Sequence, residues 1–442
     1  MGLDSVKRAP LEPSLWYATA APAPATEPLE QAISAPVCIV GAGYTGLSTA
    51  IHLAERGIRS VVLEAEEVGF GGSGRNAGHC TPTFHFHTVE RVRKILGEPY
   101  ASRLIQRQAD AANLVFSLIR RYGIDCEAVQ NGYVQVAHAP DRMAKMEAKA
   151  REYGALGKAT RVLDKAEVER LTGSPRYFGG WFHPEGGHIN PLGYARGLAR
   201  AAQSLGVEIH THSAVTGIEP AGTGWRVRTA KGSVLADKVV VGTGAYTTGF
   251  WPGLEKTFRV LTVAVMASRP LGDNVRRTIA PENNTVVDSR GDSFLYKYNK
   301  EGRLVTSVFV EGRRGLDPDW TRRLTSEKFK WVLPQLGEID WDYFWYGDLD
   351  MQLRTIPRLF ELAPGIVASL GYSGRGVPTG TMMGTVLADW AQGVPMAEMA
   401  MRPEPMQAAP GFMSVAPRAY LAWSRLMDGL AARRAGLKAP PF

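Results

Sequence analysis

Several short stretches of this chain combine residue types at spacings that could do chemistry. Gly41-Ala42-Gly43-Tyr44-Thr45-Gly46 is a G-x-G-x-x-G turn, and Glu64 follows at about the 20-residue distance where an acid receives the hydroxyls of a ribose. An acid there repels a 2′-phosphate, so the ligand is an unphosphorylated dinucleotide such as FAD or NAD. His79-Cys80-Thr81 offers an imidazole that could face a substrate, and Arg375, inside Gly374-Arg375-Gly376-Val377, could bind a carboxylate or an electron-rich carbonyl. Tyr296-Lys297-Tyr298 and Trp345-Tyr346 could box an amine with aromatic faces. His79, Cys80, His85 and His87 match no zinc spacing, and no metal is expected.

Such residues need elements to place them. Val37 to Val40 is a short apolar run suited to a buried parallel strand, and the glycine turn feeds a helix that ends at Gly57. Gly41 makes the tight turn, Gly43 lets the backbone approach a pyrophosphate, and Gly46 removes a Cβ where helix meets strand. Val61-Val62-Leu63 is the second strand, ending on Glu64. The run 68–78, VGFGGSGRNAG, has five glycines among eleven residues, so backbone must pass close to something flat or to other backbone. Strand-then-glycine recurs at 238–246 and at 365–378, where a helix from Thr379 to Gln392 follows. Helices are expected over 88–122, 141–155, 164–171 and 192–205, and Ala214-Val215 should open a strand.

Residues 257–310 alternate apolar and polar, the texture of an antiparallel sheet, whereas parallel strands run continuously apolar. The chain therefore leaves a nucleotide domain and returns to it. The expected division is an N-terminal arm at 1–35, a nucleotide domain at 36–115, 176–250 and 346–442, and a substrate domain at 116–175 and 251–345. Within the arm, Ser14-Leu15-Trp16-Tyr17 reads as a surface anchor.

The 442 residues exceed one ordinary core, and 45% hydrophobic with 21% charged residues is ordinary for a globular chain. The net charge of +8 is spread thinly, which argues against nucleic acid as a partner. Three scattered cysteines suit a reducing compartment, and the absence of a long apolar run leaves no span for a membrane; a cytoplasmic protein is the expectation. The oligomeric state stays open.

On the stretches IVGAGYTGLSTAIHLAERG, GFGGSGRNAGH, HINPLGYARGLARAAQSLGV, VVVGTGAYT and LGYSGRGVPTG, the chain resembles the D-amino-acid oxidase family of FAD-dependent oxidoreductases, near its gamma-glutamylputrescine oxidoreductase branch. The resemblance implies an α/β fold: a Rossmann-like FAD-binding domain of the GR2/DAO type with an inserted antiparallel β-sheet substrate domain. It implies that Gly41, Gly43, Gly46 and Glu64, with Tyr44, Thr45 and Ala65 beside them, hold the ADP half of FAD. Ser73, Arg75, Asn76 and Ala77 would pass the flavin ring, Val215 would meet the adenine, and Gly244 would sit near the pyrophosphate. Gly374, Arg375, Gly376 and Val377 would face flavin N1 and C2=O, where positive groups stabilise the reduced ring.

The implied activity is oxidation of the C–N bond of an amine or amino acid, with oxygen or another electron acceptor; a dehydrogenase with a quinone or protein acceptor and a flavin subunit without turnover are the alternatives. His79, Arg375 and Tyr298 are the candidates for the chemistry. Relatives with covalent flavin carry a histidine where Asn76 stands or a late cysteine, and this chain has neither, so non-covalent FAD is expected. Some relatives carry a lysine near the flavin on the strand that matches Arg303 to Thr306, where this chain has none.

Overall fold

A computed structural model describes residues 9–84, 87–292, 294–310, 312 and 314–441. The apolar runs that read as buried strands do form a parallel layer. Ile366–Leu370, Ser233–Val241, Ala32–Val40, Ser60–Leu63 and Glu208–His210 pair in that order, each parallel to the next. An antiparallel strand, Arg358–Ala363, extends one end, and the hairpin Gly217–Ala221 with Gly224–Arg228 branches from the central strand. Ala214 and Val215 lie in the irregular segment before that hairpin, so the strand starts later than expected.

One face of this sheet carries the helices Tyr44–Ala54, Tyr100–Arg121, Pro191–Ser204 and Gly376–Gln392, which share a core with Ile39, Val62 and Val240. The last of them presses so close to the first that a Cβ at Gly384 would lie 2.4 Å from that of Ser48. The helix expected over 88–122 is two, Val89–Leu96 and Tyr100–Arg121, because Gly97 adopts a left-handed φ and Pro99 breaks the hydrogen-bond ladder.

Among the described residues the second sheet has eight strands, in the order Trp341–Met351, Arg259–Pro270, Arg303–Phe309, Leu295–Tyr298, Thr285–Asp288, Tyr133–Val136, Gly180–His183, Arg161–Leu163. Every pair is antiparallel except Thr285–Asp288 with Tyr133–Val136. Two of the boundaries read from sequence fall elsewhere: Gly180–His183 belongs to this sheet, and Trp341–Met351 runs through position 346. Composition could not place either edge, because the strand register continues across both.

The arm is more than an anchor. Leu15–Thr19 is a helix capped by the Ser14 hydroxyl, and Leu15 and Trp16 are fully buried between Ala77, Leu192, Val305 and Trp345. Trp16 thus packs under the glycine-rich loop, at the seam where the two sheets meet.

Candidate active site

A cavity of about 1350 Å³ runs along that seam. Pockets for one small molecule are about 300–1,000 Å³, so there is space for a long cofactor and a substrate together. The three glycine turns converge on it. Gly41, Gly43 and Thr45 line one end with Glu64 and Ala65; Gly242 to Gly244 come from the second turn, and Gly374, Gly376 and Val377 from the third. Val215 lines it through the irregular segment described above.

Glu64 is held by the turn it serves: one carboxylate oxygen accepts from the Ala42 N–H at 2.8 Å, the other from the Glu66 N–H at 3.1 Å. Burial raises its carboxyl above the ordinary range, while those N–H groups pull the other way. Replacing Glu64 with alanine is expected to weaken FAD binding roughly 10- to 150-fold, the value of a charge-assisted hydrogen bond of about 1.5 to 3 kcal/mol. Fluorescence titration of apoprotein reads this; unchanged affinity would make the acid purely structural.

The loop at 72–77 is fixed from within. Asn76 donates to the Gly72 and Ser73 carbonyls, each at 3.0 Å, and accepts from the Gly78 N–H at 2.8 Å. The Tyr44 hydroxyl donates to the Ser73 carbonyl at 2.6 Å, and the Tyr44 N–H reaches the Ser73 hydroxyl at 3.1 Å. Tyr44 therefore acts beneath the loop. Arg75 borders the cavity, but its guanidinium turns into the protein, donating to the carbonyls of Phe70 at 2.8 Å and Ala9 at 2.6 Å and stacking on Phe70. Gly46 does not line the cavity; it sits behind the turn, against Gly41 and Ile39.

His79 faces the cavity, and neither ring nitrogen has a hydrogen-bond partner among the described residues. Burial, then the positive charges of Lys297 and Arg375, hold its pKa well below the usual imidazole value, so the ring is neutral. Arg375 is buried on the cavity wall, donating to the Thr81 hydroxyl, with its guanidinium 5.8 Å from the centre of the Tyr133 ring. It caps the long helix Gly376–Gln392, whose open N-terminal N–H groups start on the same wall. Across from these groups, Val263, Val265, Leu295 and Phe309 present an apolar sheet surface.

Tyr298 does not reach the cavity. Side chains alternate along a strand, so Tyr296 and Tyr298 both enter the core of the second sheet, where the Tyr298 hydroxyl donates to the Ile279 carbonyl at 3.1 Å. Lys297, between them, points the other way, beneath the glycine-rich loop. Its ammonium donates to the Ile189 carbonyl at 3.0 Å and lies 4.8 Å from the Trp16 ring. Burial pushes its pKa down to about 7. A buried lysine thus comes from the strand preceding Arg303–Phe309.

Of the imagined metal group, His85 lies outside the described residues, and His87 bonds the Arg354 carbonyl and the Thr355 hydroxyl. Among the described residues no three His, Cys, Asp or Glu side chains converge as a metal site would need.

Asp350 escaped the sequence reading. It lines the cavity, accepts from the Gly371 N–H at 2.6 Å, and has its pKa raised to about 6 by burial against the pull of backbone N–H groups. A carboxyl whose folded pKa lies above its ordinary 3.8 favours the fold at low pH and loses that contribution as pH rises through about 6. Asp350→Asn keeps an acceptor without the charge. Its melting temperature should match the parent near pH 4 and exceed it at pH 8, by an effect on the order of 2 kcal/mol. A parent-variant difference that does not change with pH would refute this.

The residues present fit an FAD: three glycine turns, the Glu64 carboxylate, a helix start and an imidazole without a hydrogen-bond partner among the described residues share one elongated cavity. Comparison with known proteins agrees. The sequence model of a family described as FAD dependent oxidoreductase matches residues 36–390. Over 368 residues the chain is 34% identical to the gamma-glutamylputrescine oxidoreductase of Escherichia coli (strain K12), covering 83% of this chain and 85% of that one. It is 27% identical over 438 residues to the probable oxidoreductase OrdL of Rhizobium meliloti (strain 1021), covering 95% and 99%. The structure of glycine oxidase from Geobacillus kaustophilus superposes with a TM-score of 0.69 at 21% identity, covering 86% of this chain and all, 100%, of that one.

Proposed function

Because this chain belongs to the family of FAD dependent oxidoreductases that act on amines and amino acids, we propose that it oxidises the C–N bond of a carboxylate-bearing amine to an imine, with oxygen as acceptor and hydrogen peroxide as product. The observation that carries this reading is the meeting of neutral His79 and buried Arg375 with an apolar wall at the substrate sheet.

Bound FAD supplies the two-electron acceptor for the hydride that leaves the substrate's α-carbon. The chain's own residues do the positioning. Arg375 takes the carboxylate, because a guanidinium matches that planar anion. Val263, Val265, Leu295 and Phe309 keep water from the substrate's hydrocarbon. Oxidation needs a neutral nitrogen; the charge of Arg375 disfavours an ammonium nearby, and His79 offers the nitrogen a hydrogen-bond partner without adding charge. The E. coli relative is named for γ-glutamylputrescine, which combines a terminal amine with a carboxylate. A substrate of that build suits Arg375 and the apolar wall.

FAD should leave with acid precipitation of the chain, since Asn76 is engaged within its own loop and Cys38, Cys80 and Cys126 are buried. Anaerobic titration with a panel of carboxylated and plain amines tests the activity. Bleaching followed by return of colour in air, with one peroxide per turnover, is expected. Bleaching without return in air would assign a different acceptor, and no bleaching with any amine would sink the reading.

A further inference from the structure

The helix Ala416–Arg434 is inside out. Its inward side holds Ser424 and Asp428, buried with Leu421 and Ala432, while its outward side carries Tyr420, Trp423, Leu426 and Leu430 in a stripe at helical spacing. Trp423 and Leu426 are 59% and 63% exposed, and Phe412 and Val415, just before the helix, are exposed as well. A helix resting on a protein in water has the opposite arrangement.

The orientation is not a loose docking. Asp428 pairs with His138 at 3.0 Å, and Arg425 bonds Asp292 at 2.8 Å. The Gly291 N–H donates to Ser424 at 3.1 Å, and the Trp331 indole donates to the Lys438 carbonyl at 3.1 Å. These contacts fix which side faces out.

Charge selects the partner. From 411 to the end of the chain the cations are Arg418, Arg425, Arg433, Arg434 and Lys438, against a single acid, Asp428, which is buried. By the helical repeat of about 100° per residue, Arg433 and Arg434 fall on the same side as the stripe and close its C-terminal end, and Arg418 stands off it, nearer the buried side. All three are exposed. A second copy of this chain is a poor occupant, since a two-fold contact would bring the same excess of arginine to both sides of one interface, with no exposed acid from this segment to offset it. Aromatic and aliphatic side chains rimmed by arginine match an anionic lipid surface, where tryptophan and tyrosine settle at headgroup depth and the guanidinium groups meet phosphate.

We propose that the 412–434 face is a docking surface for an anionic membrane, which the protein touches without crossing it. Among the described residues no helix is long and apolar enough to span a bilayer.

Co-sedimentation of the FAD-loaded protein with phosphatidylcholine vesicles, with and without phosphatidylglycerol, tests this at low and high salt. Binding is expected with phosphatidylglycerol at low salt, and it should weaken as salt rises. Arg433→Gln with Arg434→Gln should weaken it roughly 30-fold, about fivefold for each charge. Trp423→Ser with Leu426→Ser should weaken it roughly 100-fold, with the flavin spectrum and turnover in solution kept in both variants. No vesicle binding by the parent protein would overturn the proposal. So would binding that both variants retain, or a dimer of the parent that Trp423→Ser with Leu426→Ser dissociates in the absence of any lipid binding.

Discussion

Arg375→Ala should lower kcat/KM for carboxylated amines by roughly 100-fold or more, chiefly through KM, while plain amines of the same length change little. The magnitude follows from removing one partner of a buried, hydrogen-bonded charge pair, which costs about 2 to 5 kcal/mol. Position in the sequence alone favours a different role, support of the reduced flavin, because Arg375 sits in a glycine turn of the FAD-binding half. The side chain's surroundings favour the substrate. Its guanidinium bonds Thr81, past the glycine-rich loop, and lies against Tyr133, on a strand of the second sheet. Its charge also helps to hold Lys149 and His79 well below their usual pKa values, after burial. Steady-state kinetics on matched substrate pairs, together with the flavin's reduction potential, decide between the roles. A lowered potential with equal slowing of every amine would assign Arg375 to the flavin instead.

Gly46→Ala should leave a protein that no longer retains FAD through gel filtration and melts well below the parent. The added methyl would stand 2.0 Å from the Gly41 carbonyl oxygen and 3.1 Å from Ile39 Cγ2. That oxygen is main chain inside the first glycine turn on the cavity wall, and the Gly41 N–H is fixed to the Leu63 carbonyl at 2.8 Å. Relief requires the helix to back away from the sheet, a repacking that costs typically 1–3 kcal/mol and here displaces the turn itself. Ser48→Ala, two residues along the same helix, is the control: it removes a hydrogen bond to the Thr381 carbonyl without adding volume. FAD retention by Gly46→Ala equal to the parent's would mean the turn has slack that the packing does not suggest.

Local signals were enough to bring Gly41, Gly43 and Glu64 onto one cavity. Gly41 to Glu64 could be read from sequence because strand, turn, helix and acid are contiguous, and each residue's part is set by neighbours within the motif. Lys297, Asp350 and the direction of Arg75 could not be read that way. Which face of Leu295–Tyr298 looks at the cavity depends on register with Arg303–Phe309 and Thr285–Asp288, and a shift of one residue exchanges Lys297 for Tyr298. Asp350 reaches the site only because Trp341–Met351 pairs with Arg259–Pro270 and lies beside the third glycine turn. Arg75 turns inward because the arm supplies carbonyls that no local pattern announces.

The strapped arm also bears on how the molecule comes to exist on a ribosome. Trp16 emerges well before its partners: its indole donates to the Asn76 carbonyl at 2.8 Å, and its ring meets Trp345, which is made much later. The parallel layer has the same dependence, since Ser233–Val241 lacks its neighbour Ile366–Leu370 until most of the chain has been synthesised. This early segment therefore waits for later ones before it finds its seat. Until it does, the glycine-rich loop has no floor, and a loop that receives FAD would be ready only once Trp345 has been made.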